Sequence, residues 1–119
     1  FEDAPNIKNV GFQRGEALEA LIREARFTVA PSECYENCPF SVLESQLYGT
    51  PVLGANIGGI PELIEIGKSG EVFESGNRES LRQKISQMWN AARADANPYK
   101  DCNGARFLTV EEYCSKVYF

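Results

Sequence analysis

Short apolar runs alternate along this chain with longer segments in which apolar and polar residues are mixed. The runs at 27–32 (FTVAPS), 51–55 (PVLGA) and 70–74 (GEVFE) are bounded by turn-forming residues, and a fourth run lies at 7–12 (IKNVGF). Each therefore predicts a short strand. Because segments of helical length separate them, the sequence predicts an α/β fold built on a parallel sheet.

The intervening segments predict helices. Residues 15–25 and 79–93 carry apolar side chains at helical spacing: Leu18, Leu21, Ile22 and Ala25 in the first, and Leu81, Ile85, Met88, Trp89 and Ala92 in the second. A helix over 39–48 ends at Gly49, and 60–66 forms one or two turns. Residues 94–105 predict a polar connection, and 107–119 predict a final helix with a Thr109–Glu112 capping box.

The start of the helix over 39–48 is the first candidate binding feature. Pro39 suits the first helical position, since the N–H that proline lacks would have no intrahelical partner there. The amides of Phe40 and Ser41 are then left without partners, and together with the helix dipole they form an anion site suited to phosphate. A solvated helix end is the alternative interpretation.

Glu44 on the same helix is the second candidate. The helical period predicts an apolar stripe of Phe40, Leu43 and Leu47, with Glu44 at its border and with Ser45 and Gln46 pointing away. A carboxylate at that border loses hydration and needs hydrogen-bond donors, which the sugar hydroxyls of a nucleotide would supply. A glutamate that reaches solvent from the helix edge is an equally good interpretation.

Glu36 and a glycine pair lie in two successive loops. Glu36 follows the strand at 27–32, whereas Gly58 and Gly59 follow the strand at 51–55. Ligands of open parallel sheets bind at these carboxyl ends. Because a carboxylate repels phosphate, we expect Glu36 to contact neutral hydroxyls. The glycines permit close backbone approach and Pro61 starts a helix, although most such pairs are simple turns.

Composition narrows the functional classes. The 119 residues predict one domain, small for a complete enzyme, and a first residue of Phe1 rather than Met indicates a fragment. A net charge of -5 argues against a general nucleic-acid binder. No apolar run reaches the length of a membrane span, and no signal peptide is visible. The absence of histidine excludes Ser-His-Asp and Cys-His catalysis within the chain.

The cysteine spacing does not favour a metal site. Only Cys34 and Cys38 are close together, while Cys102 and Cys114 are far apart and no histidine could complete a mixed site. Free thiols in a reducing compartment are the favoured interpretation. We therefore predict no metal.

The motifs described above occur together in one known family. The strings PSECYENCPFSVLESQLYGTPVLGANIGGIPELI (31–64) and GKSGEVFESGN (67–77) contain two glutamates separated by seven residues, followed by Gly-Thr-Pro at 49–51 and Gly-Gly-Ile-Pro-Glu at 58–62. With these motifs the chain resembles the carboxyl-terminal, donor-binding domain of the GT-B glycosyltransferases of retaining family 4, the group 1 glycosyl transferases. The resemblance extends over essentially the whole chain.

The resemblance implies a Rossmann-like domain that binds a nucleotide sugar, usually linked to UDP or GDP, without a metal or other cofactor. The sugar would pass to a glycan or lipid acceptor with retained anomeric configuration. It implies a catalytic role for Glu36 at the transferred sugar and a contact between Glu44 and the ribose hydroxyls. The other donor-binding residues that it implies are Gln13, Arg14, Cys38, Phe40, Ser41, Gly58 and Gly59.

The chain departs from the family in two respects. In the family, an Arg and a Lys that bind the phosphates belong to the first two βα units of the domain. Those two units are absent here, as is the amino-terminal acceptor domain. Pro39 also stands where the family usually has glycine. In the sheet order 3-2-1-4-5-6 the absent strands lie between 7–12 and 27–32. We therefore expect 1–119 to be a partial domain, inactive alone, with an exposed strand edge that promotes self-association.

Two further expectations complete this interpretation. The resemblance implies a cytoplasmic protein that, at full length, can be peripheral to the inner membrane face. A non-catalytic nucleotide- or sugar-binding module of the same fold is the alternative function, and a cysteine-based metal module is a third.

Overall fold

The structure, a computed structural model, describes residues 4–93 and 97–99. Within this part of the chain, four helices alternate with three strands: α1 Glu16–Glu24, β1 Thr28–Ala30, α2 Phe40–Leu47, β2 Val52–Ala55, α3 Ile60–Leu63, β3 Gly70–Phe73 and α4 Arg78–Arg93. The predicted helix over 107–119, with Thr109 and Glu112, lies outside the described residues, as does most of the predicted connection at 94–105.

The three strands form one parallel sheet in the order β1-β2-β3. Leu53 of β2 lies opposite Val29 of β1 and Glu71 of β3, so β2 is the central strand. Every residue of β2 is buried. The predicted α/β fold with a parallel sheet is therefore confirmed.

Successive residues of β2 point to opposite sides of the sheet, and all of them are buried. Helices therefore cover both faces. On one face, Leu53 and Ala55 form a core with Phe73, Met88 and Tyr99, beneath α4. On the other face, Val52 packs with Val42 of α2 and with Ile60 and Ile64 in and after α3. This three-layer arrangement leaves the loops that follow the strands together at one edge of the sheet.

The segment 7–12 does not form the predicted strand. Ile7, Val10 and Phe12 are exposed, and the N–H of Gly11 is turned back to the side chain of Asn9 at 2.9 Å. An extended segment needs a neighbouring strand to bond its backbone. Segment 7–12 does not pair with any of the three described strands. The strand prediction was wrong for this reason.

The buried face of α2 also differs from the predicted one. Val42, Ser45 and Gln46 are buried, whereas Phe40 is 78% exposed and Leu47 64% exposed. The helix is thus turned so that Phe40 and Leu47 of the predicted apolar stripe face outward, while Leu43 is half-buried. The prediction that Ser45 and Gln46 point away from the core was wrong.

Hydrogen bonds explain how α2 buries polar side chains. The hydroxyl of Thr28 lies 2.7 Å from that of Ser45, which in turn donates to the carbonyl of Thr50 at 2.9 Å. Nε2 of Gln46 donates to the carbonyl of Leu63 at 2.6 Å. Because these donors have acceptors, the cost of removing them from water is offset, although the buried Oε1 of Gln46 has no partner among the described residues.

The predicted apolar face of α4 is correct in part. Met88 is buried and Leu81 packs against the core, as predicted. Ile85 and Trp89, however, are 37% and 45% exposed. The Trp89 ring instead lies under the guanidinium of Arg26, 4.4 Å from its centroid, which is a cation–π distance.

Candidate functional site

The loop that follows β1 carries Glu36 and is attached to the two loops beside it. The N–H of Gly59, after β2, donates to the carbonyl of Glu36 at 2.7 Å. The hydroxyl of Ser75, after β3, donates to the carbonyl of Ser32 at 2.9 Å. Loop 31–39 is therefore held at its start and at its middle, while the side chain of Glu36 is exposed.

Gly58 and Gly59 make the close backbone approach that the sequence predicts, and they make it to the chain itself. A Cβ atom on Gly58 would lie 2.6 Å from the carbonyl oxygen of Glu36, and one on Gly59 would overlap the carbonyl oxygen of Asn37. The amide of Gly59 is occupied by Glu36. The predicted contact of this pair with a donor stays a prediction.

The start of α2 presents two unbonded amides. Pro39 is the N-cap, with extended φ and ψ of -68° and 124°, rather than the first helical residue as predicted. The amide of Val42 bonds the Pro39 carbonyl at 3.2 Å. No hydrogen bond within the described residues uses the amides of Phe40 or Ser41, whose side chains are exposed. Such amides, at the positive end of the helix dipole, can bind an anion.

The exposed thiol of Cys38 lies immediately before this helix start, and the thiol of Cys34 is also exposed and free. Within the described residues, no group of three or more Cys, Asp, Glu or His is placed to hold a metal ion. None of the described helices is long and apolar enough to cross a membrane.

Glu44 lines a cavity of 300 Å³ between α2 and the start of α1. The other lining residues are Gly15, Glu16, Leu18, Glu19 and Tyr48. Glu44 is half-buried and lies on the side of α2 away from Val42. It was predicted at the border of a buried apolar stripe; that reason was wrong, although Glu44 does line a cavity. The carboxylates of Glu16 and Glu19 on α1 and of Glu44 on α2 favour a ligand that donates hydrogen bonds, and they repel phosphate.

One of these carboxylates already has a partner. The guanidinium of Arg23 donates to Glu19 at 2.8 Å and lies over the ring of Tyr48, 4.7 Å from its centroid. Among the carboxylates of the cavity, Glu44 and Glu16 make no ion pair with another described residue. Glu44 and Glu16 are therefore available to a ligand.

Gln13 and Arg14 lie just before this cavity in the chain. Gln13 is half-buried and donates from Nε2 to the carbonyl of Val10 at 2.6 Å. Arg14 is exposed and precedes Gly15, whose φ of 64° turns the backbone into α1. Gln13 lines a separate cavity, together with Lys8 and Val10. Gly15 and Glu16 line the Glu44 cavity, whereas Gln13 and Arg14 do not. Glu36 does not line it.

Two features of the site had no counterpart in the sequence-based interpretation. The tie between Ser75 and Ser32 joins residues 43 positions apart, and the contribution of Tyr48 to the cavity depends on the rotation of α2. A single Ser after a strand carries no recognisable signal. The rotation of α2 depends on the hydrogen bonds of Ser45 and Gln46 to residues distant in sequence, which the helical period alone does not predict.

The family model described as "Glycosyl transferases group 1" matches residues 2–91. The D-inositol 3-phosphate glycosyltransferase of Nocardiopsis dassonvillei is 34% identical over 105 residues, which cover 84% of this chain and 24% of that protein. The amylovoran biosynthesis glycosyltransferase AmsK of Erwinia amylovora is 32% identical over 97 residues, covering 77% of this chain and 24% of that protein. The chain therefore spans about a quarter of the length of these relatives.

Two solved structures align with this chain and show the same fold. HepE of Anabaena, solved in complex with UDP, aligns with a TM-score of 0.62 at 24% identity over 70% of this chain and 23% of that one. Sucrose-phosphate synthase of Thermosynechococcus elongatus aligns with a TM-score of 0.63 at 20% identity, over 75% of this chain and 21% of that one. The family match over residues 2–91 and the two relatives above 30% identity show that the chain belongs to the group 1 glycosyl transferases.

Proposed function

We propose that this chain is the donor-binding portion of a retaining glycosyltransferase. The donor would be a nucleotide-diphosphate sugar, and the acceptor a glycan or lipid held by a preceding domain. The observation that carries the proposal is the cavity in which Glu44 faces the start of α1. Likeness to HepE, solved with UDP and also with UDP-glucose, supports a uridine nucleotide as the first donor to test.

The order of groups along α2 matches the order of groups in such a donor. Glu44 lies one helical turn after Phe40, which is about 6 Å along the axis. A ribose bound by the Glu44 carboxylate would thus place its diphosphate near the unbonded amides of Phe40 and Ser41. The sugar would lie beyond it, toward Glu36 in the preceding loop.

Charge supports the same order. The cavity of Glu44 carries three carboxylates, so the phosphates are repelled from it and the neutral ribose is accepted. Gln13 and Arg14, before the cavity, would meet the base. Cys38 would lie beside the phosphates or sugar at the helix start, and Gly58 and Gly59 border the Glu36 loop. The upstream βα units would supply the basic residues for the diphosphate.

Glu36 is the residue to which we assign the chemistry. Its exposed carboxylate, next to the helix that would hold the diphosphate, would stabilise positive charge on the sugar as the bond to phosphate breaks. The proposal invokes no metal. It places the reaction in the cytoplasm, at the membrane face when the acceptor is a lipid.

The test uses the protein expressed from its complete reading frame and screened against UDP- and GDP-sugars. Glu44→Ala removes up to two hydrogen bonds to a charged acceptor, so we expect affinity for the nucleoside diphosphate to fall by about 10- to 100-fold. Glu65→Ala is the matched control, because among the described residues that exposed carboxylate is paired only with Lys68, at 3.7 Å. Unchanged nucleotide binding and turnover in Glu44→Ala would contradict the proposal.

The alternative function, a non-catalytic module, gives a different result in the same screen. A module would bind a nucleotide sugar, with the same dependence on Glu44, and release no nucleoside diphosphate with any acceptor. Turnover that Glu36→Ala lowers without changing nucleotide affinity would exclude it.

A further inference from the structure

We propose that Gly58 and Gly59 are positioning residues that hold the Glu36 loop in place, rather than direct contacts to the donor. The inference rests on the role proposed above for Glu36. It assigns the glycine pair to the placement of the carboxylate at the transferred sugar.

The hydrogen bond from Gly59 ties the loop to a rigid part of the molecule. Its N–H reaches the carbonyl of Glu36 at 2.7 Å, and the next residue, Ile60, is fully buried. Ala55, at the end of the central strand, is also fully buried. The hydrogen bond from Gly59 thus connects the backbone of Glu36 to segment 55–60, which is anchored in the core at both of its ends.

The requirement for glycine at position 59 is steric and not conformational. Gly59 has φ -84° and ψ -3°, which any residue adopts, yet a Cβ there would overlap the carbonyl oxygen of Asn37. At Gly58 the φ of +59° adds a conformational requirement, and its Cβ would lie 2.6 Å and 2.7 Å from the backbone O and N of Glu36. Backbone atoms cannot move aside as a flexible side chain can, so a side chain at either position displaces the Glu36 segment.

A displacement of this kind moves the carboxylate with the backbone. Within the described residues the side chain of Glu36 makes no hydrogen bond or ion pair that would hold it independently. A shift of about 1 Å in a reacting group can lower a rate by about 100-fold. The placement of Glu36 therefore depends on the contacts of its backbone.

A second tether acts at the start of the same loop. The hydroxyl of Ser75 donates to the carbonyl of Ser32 at 2.9 Å, four residues before Glu36. Ser75→Ala removes this bond without introducing any new atom. It therefore tests the positioning of the loop with a smaller perturbation than substitution of a glycine.

The experiment is a double-mutant cycle between Gly59→Ala and Glu36→Ala in the protein expressed from its complete reading frame. For Gly59→Ala we expect kcat to fall by about 10- to 100-fold, with the affinity for nucleoside diphosphate changed less than about twofold. In the Glu36→Ala background the same substitution should have no further effect on kcat, because the group that it displaces is gone. Gly67→Ala is the control, since Gly67 also has a positive φ, +84°, but a Cβ there meets nothing within 4 Å.

Hydrogen exchange of the backbone gives a readout that does not depend on activity. Gly59→Ala should accelerate exchange in segment 32–38 relative to Gly67→Ala. Unchanged exchange there, or a loss of kcat that persists in full in the Glu36→Ala background, would overturn the positioning role. If Glu36→Ala alone leaves turnover unchanged while exchange responds as expected, the loop is held as inferred and the proposed role of Glu36 fails.

Ser75→Ala keeps the inference testable if Gly59→Ala does not fold. We expect kcat to fall by about 2- to 10-fold in the wild-type background and not at all in the Glu36→Ala background. Equal losses in both backgrounds would count against the inference.

Discussion

The carboxylate of Glu71 is buried between β3 and α4, where it accepts hydrogen bonds from two side chains. The hydroxyl of Tyr99 donates to it at 2.7 Å and Nε2 of Gln87 at 3.3 Å. Burial, followed by this hydrogen bond and the Glu71 charge, raises the pKa of Tyr99 above its ordinary value. At the scale of single residues, then, a buried acid is tolerated because a buried phenol is its donor.

Tyr99→Phe should destabilise the protein. The change leaves the buried carboxylate of Glu71 with one donor fewer, and we expect the free energy of unfolding at pH 7 to fall by about 1–3 kcal/mol. Urea unfolding measures the difference. Tyr35→Phe is the control, because Tyr35 is 87% exposed, and an equal loss in both variants would refute the role of the Glu71 contact.

The same contact predicts a pH dependence. An unfolded tyrosine loses its proton near pH 10, whereas folded Tyr99 keeps its proton to higher pH because its pKa is raised. The folded state then binds more protons, so this contribution is fully present below about pH 10 and falls as the pH rises above it. The stability difference between wild type and Tyr99→Phe should therefore shrink above pH 10. A constant difference between pH 7 and 11 would contradict this.

At the scale of elements, α1 depends on a bond from a distant residue. None of its residues is fully buried, and the hydroxyl of Thr50, itself buried, donates to the carbonyl of Ile22 at 2.7 Å in the last turn. Thr50 directly precedes Pro51 and the central strand β2. This bond connects α1, and with it one wall of the Glu44 cavity, to the sheet.

Thr50→Val should weaken that connection. The substitution keeps the shape of the side chain and removes the donor to Ile22, so we expect a loss of about 1 kcal/mol in the free energy of unfolding. Thr50→Ser retains the hydroxyl and serves as the control in chemical denaturation. If Ser destabilises as much as Val, packing of the methyl group rather than the hydrogen bond holds α1.

At the scale of the whole molecule, β1 lies at an edge of the described sheet. Among the described strands it pairs with β2 alone, and Val29 at its centre is 41% exposed. Phe40 and Leu47 on the outward face of α2 are exposed as well. An unpaired strand edge beside apolar surface favours association with another chain.

The chain of residues 1–119, expressed alone, should therefore self-associate reversibly. Val29→Lys should shift the equilibrium toward the monomer, because a charge at an edge strand opposes further pairing. Val10→Lys adds the same charge at a valine that is 42% exposed outside the sheet, and it should have little effect. Size-exclusion chromatography with light scattering distinguishes these results, and a monomer at every concentration would contradict the prediction.

The pattern of apolar and polar residues predicted some secondary-structure elements correctly and others incorrectly. β2 and β3 were predicted to within one residue because each is a short segment bounded by turn residues, and a segment of that length favours a strand over a helix. Segment 7–12 was predicted as a strand by the same rule and is not one, since a strand also needs a neighbour. The site followed the motif spacing: Glu36, Glu44 and the glycine pair lie in the expected loops and helix, and their roles with a ligand stay predictions.

The sequence by itself determined the α/β class, the order of the elements from α1 to α4 and the family, because these depend on local periodicity and on the spacing of motifs. Only the tertiary structure decided which face of α2 is buried. Phe40 and Leu47 are more apolar than Ser45 and Gln46, yet the latter are inside because Thr28, Thr50 and Leu63, distant in sequence, provide their hydrogen-bond partners. That rotation places Glu44 at the cavity beside α1, and contacts between distant residues likewise place Gly59 against Glu36.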